Sequence, residues 1–471
     1  MKNEKFLELM GEIDEELLER ARAPKKNKPQ KKIWISAIAA CLALCITLGA
    51  IFGWRKPAEN GGHDGAPGTE FGGGFDIEKA VMPEGEVSYA PFYEYYSEHG
   101  GIREFYKASI AEMLKTGEGE NTVYSPANVY MALAMLAEAT GGESRAQILS
   151  LLGAEEISEV REMAEALWML SYEPGEKGTT MLANSIWFRN DYTPLLVEKT
   201  MKTLAEKYRV STYSGRFTDE AYVAAMKEWV HEQTNGFLRD LKLDWEIDED
   251  TAFEIISTIY FKDGWETKFS NTRNMTFYPT DDHEGIICEF LISDNDEVIA
   301  YGGENFIAIR KPFVSGGSML FVLPDRGYTT EDLLCDEEFL RFIADPNAWE
   351  DVSYGARSLR IPKFDISGEE GIEDQIQNLG ITDVFDDMKA DFTPLVGEYQ
   401  RPWVREINHG VRIKIDEKGC EAAAYTQIGG IDVGSGGIPK LVKFDRPFIF
   451  SVLTEEAVPL FTGIINNPTL S

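Results

Sequence analysis

The sequence has little that could carry catalysis or hold a metal. It contains five histidines and five cysteines in 471 residues. Cys41 and Cys45 fall in one apolar run, while Cys288, Cys335 and Cys420 are scattered. That is neither a disulfide framework nor a paired metal-ligand spacing. There is no H-E-x-x-H, no G-x-S-x-G and no Walker loop. His231-Glu232 lacks a second histidine, His63 and His99 lie in or beside a Gly/Pro-rich stretch, and His283 sits in a polar Asp-Asp-His-Glu turn. No serine, base and acid assemble into a nucleophilic set by spacing, and no carboxylate pair stands out. We therefore expect no metal, no cofactor and no enzymatic activity, a hydrolase with a site hidden from sequence being the remaining enzymatic alternative. Basic charge is also scarce. Lysine and arginine number 46 against 80 acids, a net charge of −34, which excludes a phosphate-binding face and hence nucleic acid as partner. The acidity reads as a self-repelling, soluble surface.

What is present begins with an N-terminal address. Residues 3–22 place Phe6, Met10, Ile13, Leu17 and Leu18 at helical spacing. A basic block from Arg20 to Lys32 follows, and then an uncharged apolar run at 33–54. As a helix that run would reach about 33 Å, enough to cross a bilayer core. Trp34 and Trp54 lie at its ends as interfacial anchors, and the basic flank keeps the N-terminus cytoplasmic. The run is long for a signal peptide and lacks a small-x-small cleavage site, so an uncleaved anchor is expected. The domain reading is a cytoplasmic tail at 1–32, a transmembrane helix at 33–54, a Gly/Pro-rich linker at 55–90 and one folded domain at 91–471. It places the protein in the cell membrane, single-pass, with the domain extracellular. The layout suits a bacterial cell.

Within the domain, helices are expected at 102–114, 128–139 and 221–233. Strands are expected at 182–188, 253–261, 306–309, 319–323, 359–361, 411–415, 448–453 and 460–465. Helices first and strands later make an α+β fold. The most telling stretch is 415–439. Cys420, Ala422, Ala424, Thr426 and Ile428 alternate with Glu421, Ala423, Tyr425 and Gln427, giving a period of two with one buriable face. Glycines at 429, 430, 434, 436 and 437 follow, as in an exposed loop. One segment thus carries strand signals and loop signals, and reads as a loop in one state and a strand in another.

Several blocks between about residues 91 and 468 resemble one family, the serpins. Asn121, Val123, Ser125 and Pro126 look like its N-x-V-x-S-P start. Trp229-Val230 with Thr234-Asn235-Gly236 is similar to W-V-x-x-x-T-N-G. Ile259-Tyr260-Phe261-Lys262 with Trp265 resembles the strand and tryptophan at the head of its main sheet. Leu379 to Phe385, Ala390-Asp391-Phe392, Asp445 to Phe448, and Phe461 with Gly463 and Asn467-Pro468 complete the set.

The resemblance implies a serpin fold of three β-sheets and about nine helices with an exposed reactive loop. It implies a suicide inhibitor, monomeric, whose partner is a serine protease held as a covalent acyl complex. Glu417, Gly419, Cys420, Glu421, Ala422, Ala423 and Ala424 would form the hinge of the loop. Cys420 replaces the usual threonine but is small enough to bury. Ser125, Asn128, Ser257 and His409 would form a polar latch under the sheet, with Asn128 and Ser257 in reciprocally exchanged identities. Trp265 would head the sheet. The loop length places the cut bond at Val433–Gly434, with Ile431–Asp432 as second choice. No lysine or arginine lies between Lys418 and Lys440, so an elastase- or subtilisin-like enzyme is the expected target. A non-inhibitory serpin acting as a binding or structural module and a cysteine-protease inhibitor are the alternatives.

Overall fold

A computed structural model describes residues 75–83, 88–115, 119–174, 178–239, 245, 247–279, 285–420 and 440–470. The tail, the apolar run at 33–54 and most of the linker lie outside these residues. Among the described residues no helix is long and apolar enough to cross a membrane.

Eleven helices and seventeen strands are present among the described residues. The first seven helices are α1 (Ala90–Glu98), α2 (Gly101–Met113), α3 (Pro126–Ala139), α4 (Gly142–Leu152), α5 (Ile157–Leu170), α6 (Glu198–Lys207) and α7 (Glu220–Gln233). Helix α3 starts at Pro126 because the Ser125 side chain accepts from the Asn128 amide and proline suits the first turn. It is buried on nearly every side, as its apolar composition requires.

The main sheet contains β1 (Asp76–Glu78), β3 (Glu173–Pro174), β4 (Gly178–Arg189), β5 (Val210–Gly215), β6 (Phe253–Gly264), β12 (Phe364–Gly371), β13 (Asn408–Ile415) and β14 (Gly419–Cys420). Its order is β1-β5-β4-β6-β14-β13-β12, with β3 pairing β4. In this sheet, among the described residues, β4 and β5 pair parallel and the other pairs are antiparallel. One face lies on the large core, against α3. The other is covered by α7, where Trp187, Tyr213, Tyr222 and Trp229 form a second cluster.

The second sheet contains β2 (Thr122–Tyr124), β7 (Asn271–Phe277), β8 (Ile286–Gly302), β9 (Phe306–Pro312), β10 (Ser318–Pro324), β11 (Val352–Pro362), β15 (Leu441–Lys443), β16 (Phe448–Leu453) and β17 (Pro459–Ile465). Its order is β15-β11-β8-β9-β10-β16-β17-β2, with β7 on β8. Three sheets were expected, yet the strands form two hydrogen-bonded networks among the described residues. The reason is β8, 17 residues long. One half pairs with β7 and the other with β9, while β11 runs along both. This joins what would otherwise be separate sheets.

The described part of the linker is not idle. Asp76–Glu78 adds an antiparallel strand to the open edge of β5, and Phe75 packs edge-to-face on Tyr222 of α7 at 5.0 Å. An uncovered edge strand invites pairing with other chains, and β1 closes it.

A candidate slot in the main sheet

Strands β6 and β13 border the same two cavities, yet among the described residues no ladder joins them. Each pairs instead with β14, the two residues Gly419 and Cys420. Gly419 lies opposite Gly264, and Cys420 lies opposite Asp263 on one side and Ile415 on the other. The chain thus leaves β13, turns through Asp416–Glu417–Lys418 and starts back down between the two strands.

The turn is firmly held. The Asp416 carboxylate accepts from the amides of Lys418 (2.7 Å) and Gly419 (3.1 Å). The three carbonyls of Asp416, Glu417 and Lys418 accept from Trp265 Nε1 (2.9 Å), the Phe269 amide (3.2 Å) and the Trp265 amide (3.0 Å). Trp265 is fully buried and stacked on Phe313, with centroids 4.9 Å apart. Glycine is required at 419, where a Cβ would lie 2.2 Å from the Asp263 carbonyl oxygen. Cys420 is 2% exposed and joins the main core. Glu417 pairs with Lys363 at 3.1 Å, but both are partly exposed, so the pair adds little stability.

About six residues down β6, roughly 20 Å away at strand rise, the polar residues meet. Ser125 Oγ donates to the Leu460 carbonyl (2.6 Å), and the Ser125 amide donates to His409 Nε2 (3.0 Å). Asn128 Nδ2 donates to the Ser257 carbonyl (3.0 Å), while Ser257 Oγ donates to Asn128 Oδ1 (2.8 Å). The helix α3 start is thereby tied to β6, β13 and β17 at one point. Beyond it the gap widens into a cavity of ≈ 240 Å³ lined by Leu133, Phe253, Ile255, Trp403 and Ile407, among others.

The structure therefore gathers Trp265, Glu417, Gly419 and Cys420 at one end of the slot, and Ser125, Asn128, Ser257 and His409 midway along it. Glu421, Ala422, Ala423, Ala424, Ile431, Asp432, Val433 and Gly434 lie outside the described residues. Sequence reading missed Lys363 and Phe269. Nothing local marks Lys363, whose partner is 54 residues away. Phe269, four residues after Trp265, was the more legible of the two.

Two predictions arise from the latch. Because Asn128 and Ser257 exchange two hydrogen bonds, Asn128→Ser and Ser257→Asn should each lower stability by about 1 kcal/mol. The double variant should recover most of that loss in a urea-melt cycle, and additive losses would deny the coupling. Burial pushes the His409 imidazole down from 6.5 to about 4, and its Nε2 must stay unprotonated to accept from Ser125. The folded state then binds fewer protons than the unfolded chain between those values. Stability is full above pH 6.5 and falls as the pH drops toward 4. His409 keeps some accessible surface, so up to about 2 kcal/mol should be lost by roughly pH 5. Urea midpoints at the two pH values would measure it, compared with His409→Gln, in which that component should vanish. A wild type and a His409→Gln variant with the same pH dependence would sink the assignment.

Comparison with known proteins gives a consistent answer. The family model described as Serpin (serine protease inhibitor) matches residues 103–468. Serpin-Z1C of Triticum aestivum is 28% identical over 375 residues, covering 74% of this chain and 91% of its own. Alpha-1-antitrypsin of Sus scrofa is 27% identical over 385 residues, covering 78% and 86%. Among solved structures, the thermophilic serpin tengpin in its native state is similar in fold, with a TM-score of 0.67 at 24% identity over 83% of this chain and 97% of that one.

Proposed function

The chain belongs to the serpin family, and on that premise we propose that it is a suicide-substrate inhibitor of elastase- or subtilisin-like serine proteases, acting as a monomer. The observation that carries this reading is β14, two residues already paired between β6 and β13, which share no ladder among the described residues. Continuing that register predicts what a full strand would meet. On the core face, Ala422 comes between Phe261 and Ile413, and Ala424 between Ile259 and Val411. Thr426 falls between Ser257 and His409, inside the latch, where a hydroxyl finds partners. Ile428 falls between Ile255 and Ile407. On the outer face, Glu421 meets Lys262 and Lys414, and bulky Tyr425 lies beside Gly410, where there is no side chain to oppose it. Val433 reaches Asp250, at the far lining of the cavity. The fourteen residues 420–433 would extend about 47 Å.

In the reaction, the protease serine Oγ attacks the Val433 carbonyl carbon. The bond to the Gly434 nitrogen breaks, and the new amine leaves with a proton. Residues up to Val433, now esterified to the protease, are free to enter the slot and carry the enzyme with them. The full set of new strand hydrogen bonds drives that movement. We further propose that 33–54 tethers the domain to a membrane, supported by its length, its lack of charge and its basic flank.

Incubation with pancreatic elastase and with subtilisin tests the function. A complex that survives SDS is expected, with a released peptide beginning at Gly434 by mass spectrometry. Clean cleavage with the protease still active would turn the reading to a non-inhibitory member. Recovery of the full chain in membranes after carbonate washing tests the tether, and its release into the wash would reject it.

A further inference from the structure

The far end of the slot holds more space than a gap between two strands needs. Its cavity of ≈ 240 Å³ exceeds the roughly 150 Å³ that takes up one benzene molecule. The wall toward the core is apolar. Leu133 and Leu136 of α3, Ile255 of β6, Ile376 and Ile407 line it, and all five belong to the main core or pack on it. Trp403 lines the same cavity with 42% of its surface exposed. The Val404 amide next to it donates to the Val384 carbonyl at 2.8 Å, which fixes this segment to the domain. An indole left in water beside an apolar hollow is a feature of binding surfaces.

The opposite wall carries a carboxyl that the fold leaves unpaired. Strand alternation sends Ile255 and Ser257 to the core face of β6, and Glu254 and Ile256 to the other face. There Ile256 packs on the second cluster, and Glu254 lines the cavity. Across the ladder Glu254 meets Trp187 of β4, which brings no charge. Among the described residues no hydrogen bond or ion pair reaches the Glu254 carboxyl. Burial, and then the nearby Glu406, push it up to about 8, with Arg405 working against them. Arg405 is paired with Asp248 at 2.9 Å, and Glu406 accepts from Asn408 at 2.8 Å. Asp250 and Arg401 are the remaining charged groups of the lining. Lys227 of α7 lies over the ring of Trp245, another lining residue, at 5.8 Å.

We propose that this cavity is a binding site for a small apolar amine, with the hydrocarbon body among Leu133, Ile255, Ile407 and Trp403 and the ammonium at Glu254 and Glu406. A cation is what two carboxylates on one cavity call for, because it favours the charged form of both. It turns Glu254 from a neutral acid into an ionised partner. An anion would meet Glu406 with no new cation to balance it. A plain hydrocarbon would shut Glu254 away from water without a partner, which costs free energy. Scaled from benzene, the volume suits roughly ten non-hydrogen atoms. The indole of Trp403 offers the ligand either a flat apolar surface or a face for its charge.

Calorimetric titration of the full, uncut chain with phenylbutylamine tests the site, with phenylbutanol and phenylbutyrate as controls of the same body. The amine should bind at pH 8 with a Kd of about 0.1 mM, within what a ligand of about eleven non-hydrogen atoms can reach. The alcohol and the acid should each bind at least about tenfold more weakly. The amine keeps its proton at neutral pH, whereas Glu254 must lose its own for the pair to form. Affinity should therefore fall about tenfold from pH 7 to pH 6. His409, held down to about 4 by burial, stays neutral over that range and adds nothing to it. Glu254→Gln keeps the shape of the side chain and should bind the amine at least about tenfold more weakly at pH 8, with no such pH dependence. Trp403→Ala should weaken binding about fivefold and keep the pH dependence. Wild type that takes up no amine at about 10 mM, about a hundred times the expected Kd, would overturn the proposal. So would a Glu254→Gln chain that binds the amine as wild type does, or an alcohol that binds as tightly as the amine.

Discussion

Cys420→Glu should abolish the SDS-stable complex while leaving the loop fully cleavable. Cys420 is the first residue of the would-be strand to be buried, at 2% exposure and in the main core. Its neighbour across the ladder is Asp263. That carboxyl is itself pushed up by burial, with hydrogen bonds from Ser315 working against the shift. A second carboxylate beside it would be buried unpaired, at a cost of several kcal/mol. Because Cys420 is already buried before cleavage, Cys420→Glu should first release β14 from the slot, and insertion must then bury the carboxylate; at about 1.4 kcal/mol per tenfold, insertion should slow by at least about a hundredfold. Hydrolysis of the acyl bond keeps its own rate. The partition then moves from trapped enzyme to turned-over substrate. Cys420→Thr, similar in size, should inhibit like the parent chain. Residual elastase activity against inhibitor concentration, read beside a gel, measures both. A Cys420→Glu chain that still forms the complex in wild-type yield would show that burial at 420 does not control the outcome.

Much of this site was legible because the residues carrying it obey simple rules. The alternation after Gly419 reads as a strand with a buriable face, and its first member, Cys420, is paired and buried, while the rest of the pattern lies outside the described residues. Helices at 102–114, 128–139 and 221–233 lie within two residues of α2, α3 and α7, because each has a continuous apolar stripe and a stop signal. The four latch residues are another matter. Ser125 and His409 are 284 positions apart, and no spacing rule joins them; only the family blocks pointed there. The linker misled through composition. Its glycines and prolines mask a three-residue strand that forms only because β5 offers an open edge.

Strand β8 was missed for a reason that leads to a further result. Its middle, Ser293 to Glu297, is polar, yet the strand continues through it, with a register shift against β11 between Ser293 and Asp296. Asp296 is fully buried there because it pairs with Lys311 of β9, also fully buried. The Lys311 ammonium also donates to the Thr267 carbonyl at 2.6 Å and lies 4.7 Å from the centre of the Phe269 ring. Phe269 and Trp265 in turn hold the hinge carbonyls, so this ion pair sits directly behind the turn that starts β14.

Asp296→Ala should therefore be among the most damaging single changes in the protein, costing about 3–5 kcal/mol because it strands a buried ammonium. Asp296→Leu with Lys311→Met should be within about 1 kcal/mol of wild type or more stable, since Asp296 Oδ1 has no hydrogen-bond partner even in the intact pair. The pH dependence follows from the same burial, which holds Lys311 below its ordinary value while Asp296 pulls it back up. Without Asp296 the folded-state value falls further, and the folded chain binds fewer protons than the unfolded one up to the ordinary lysine range. Stability of Asp296→Ala should thus rise with pH, and the loss should be smaller near about pH 9.5 than at neutrality. Urea melts of the three chains at the two pH values measure all of this. If the double variant is as unstable as Asp296→Ala, the damage comes from lost packing behind Trp265 rather than from an unpaired charge.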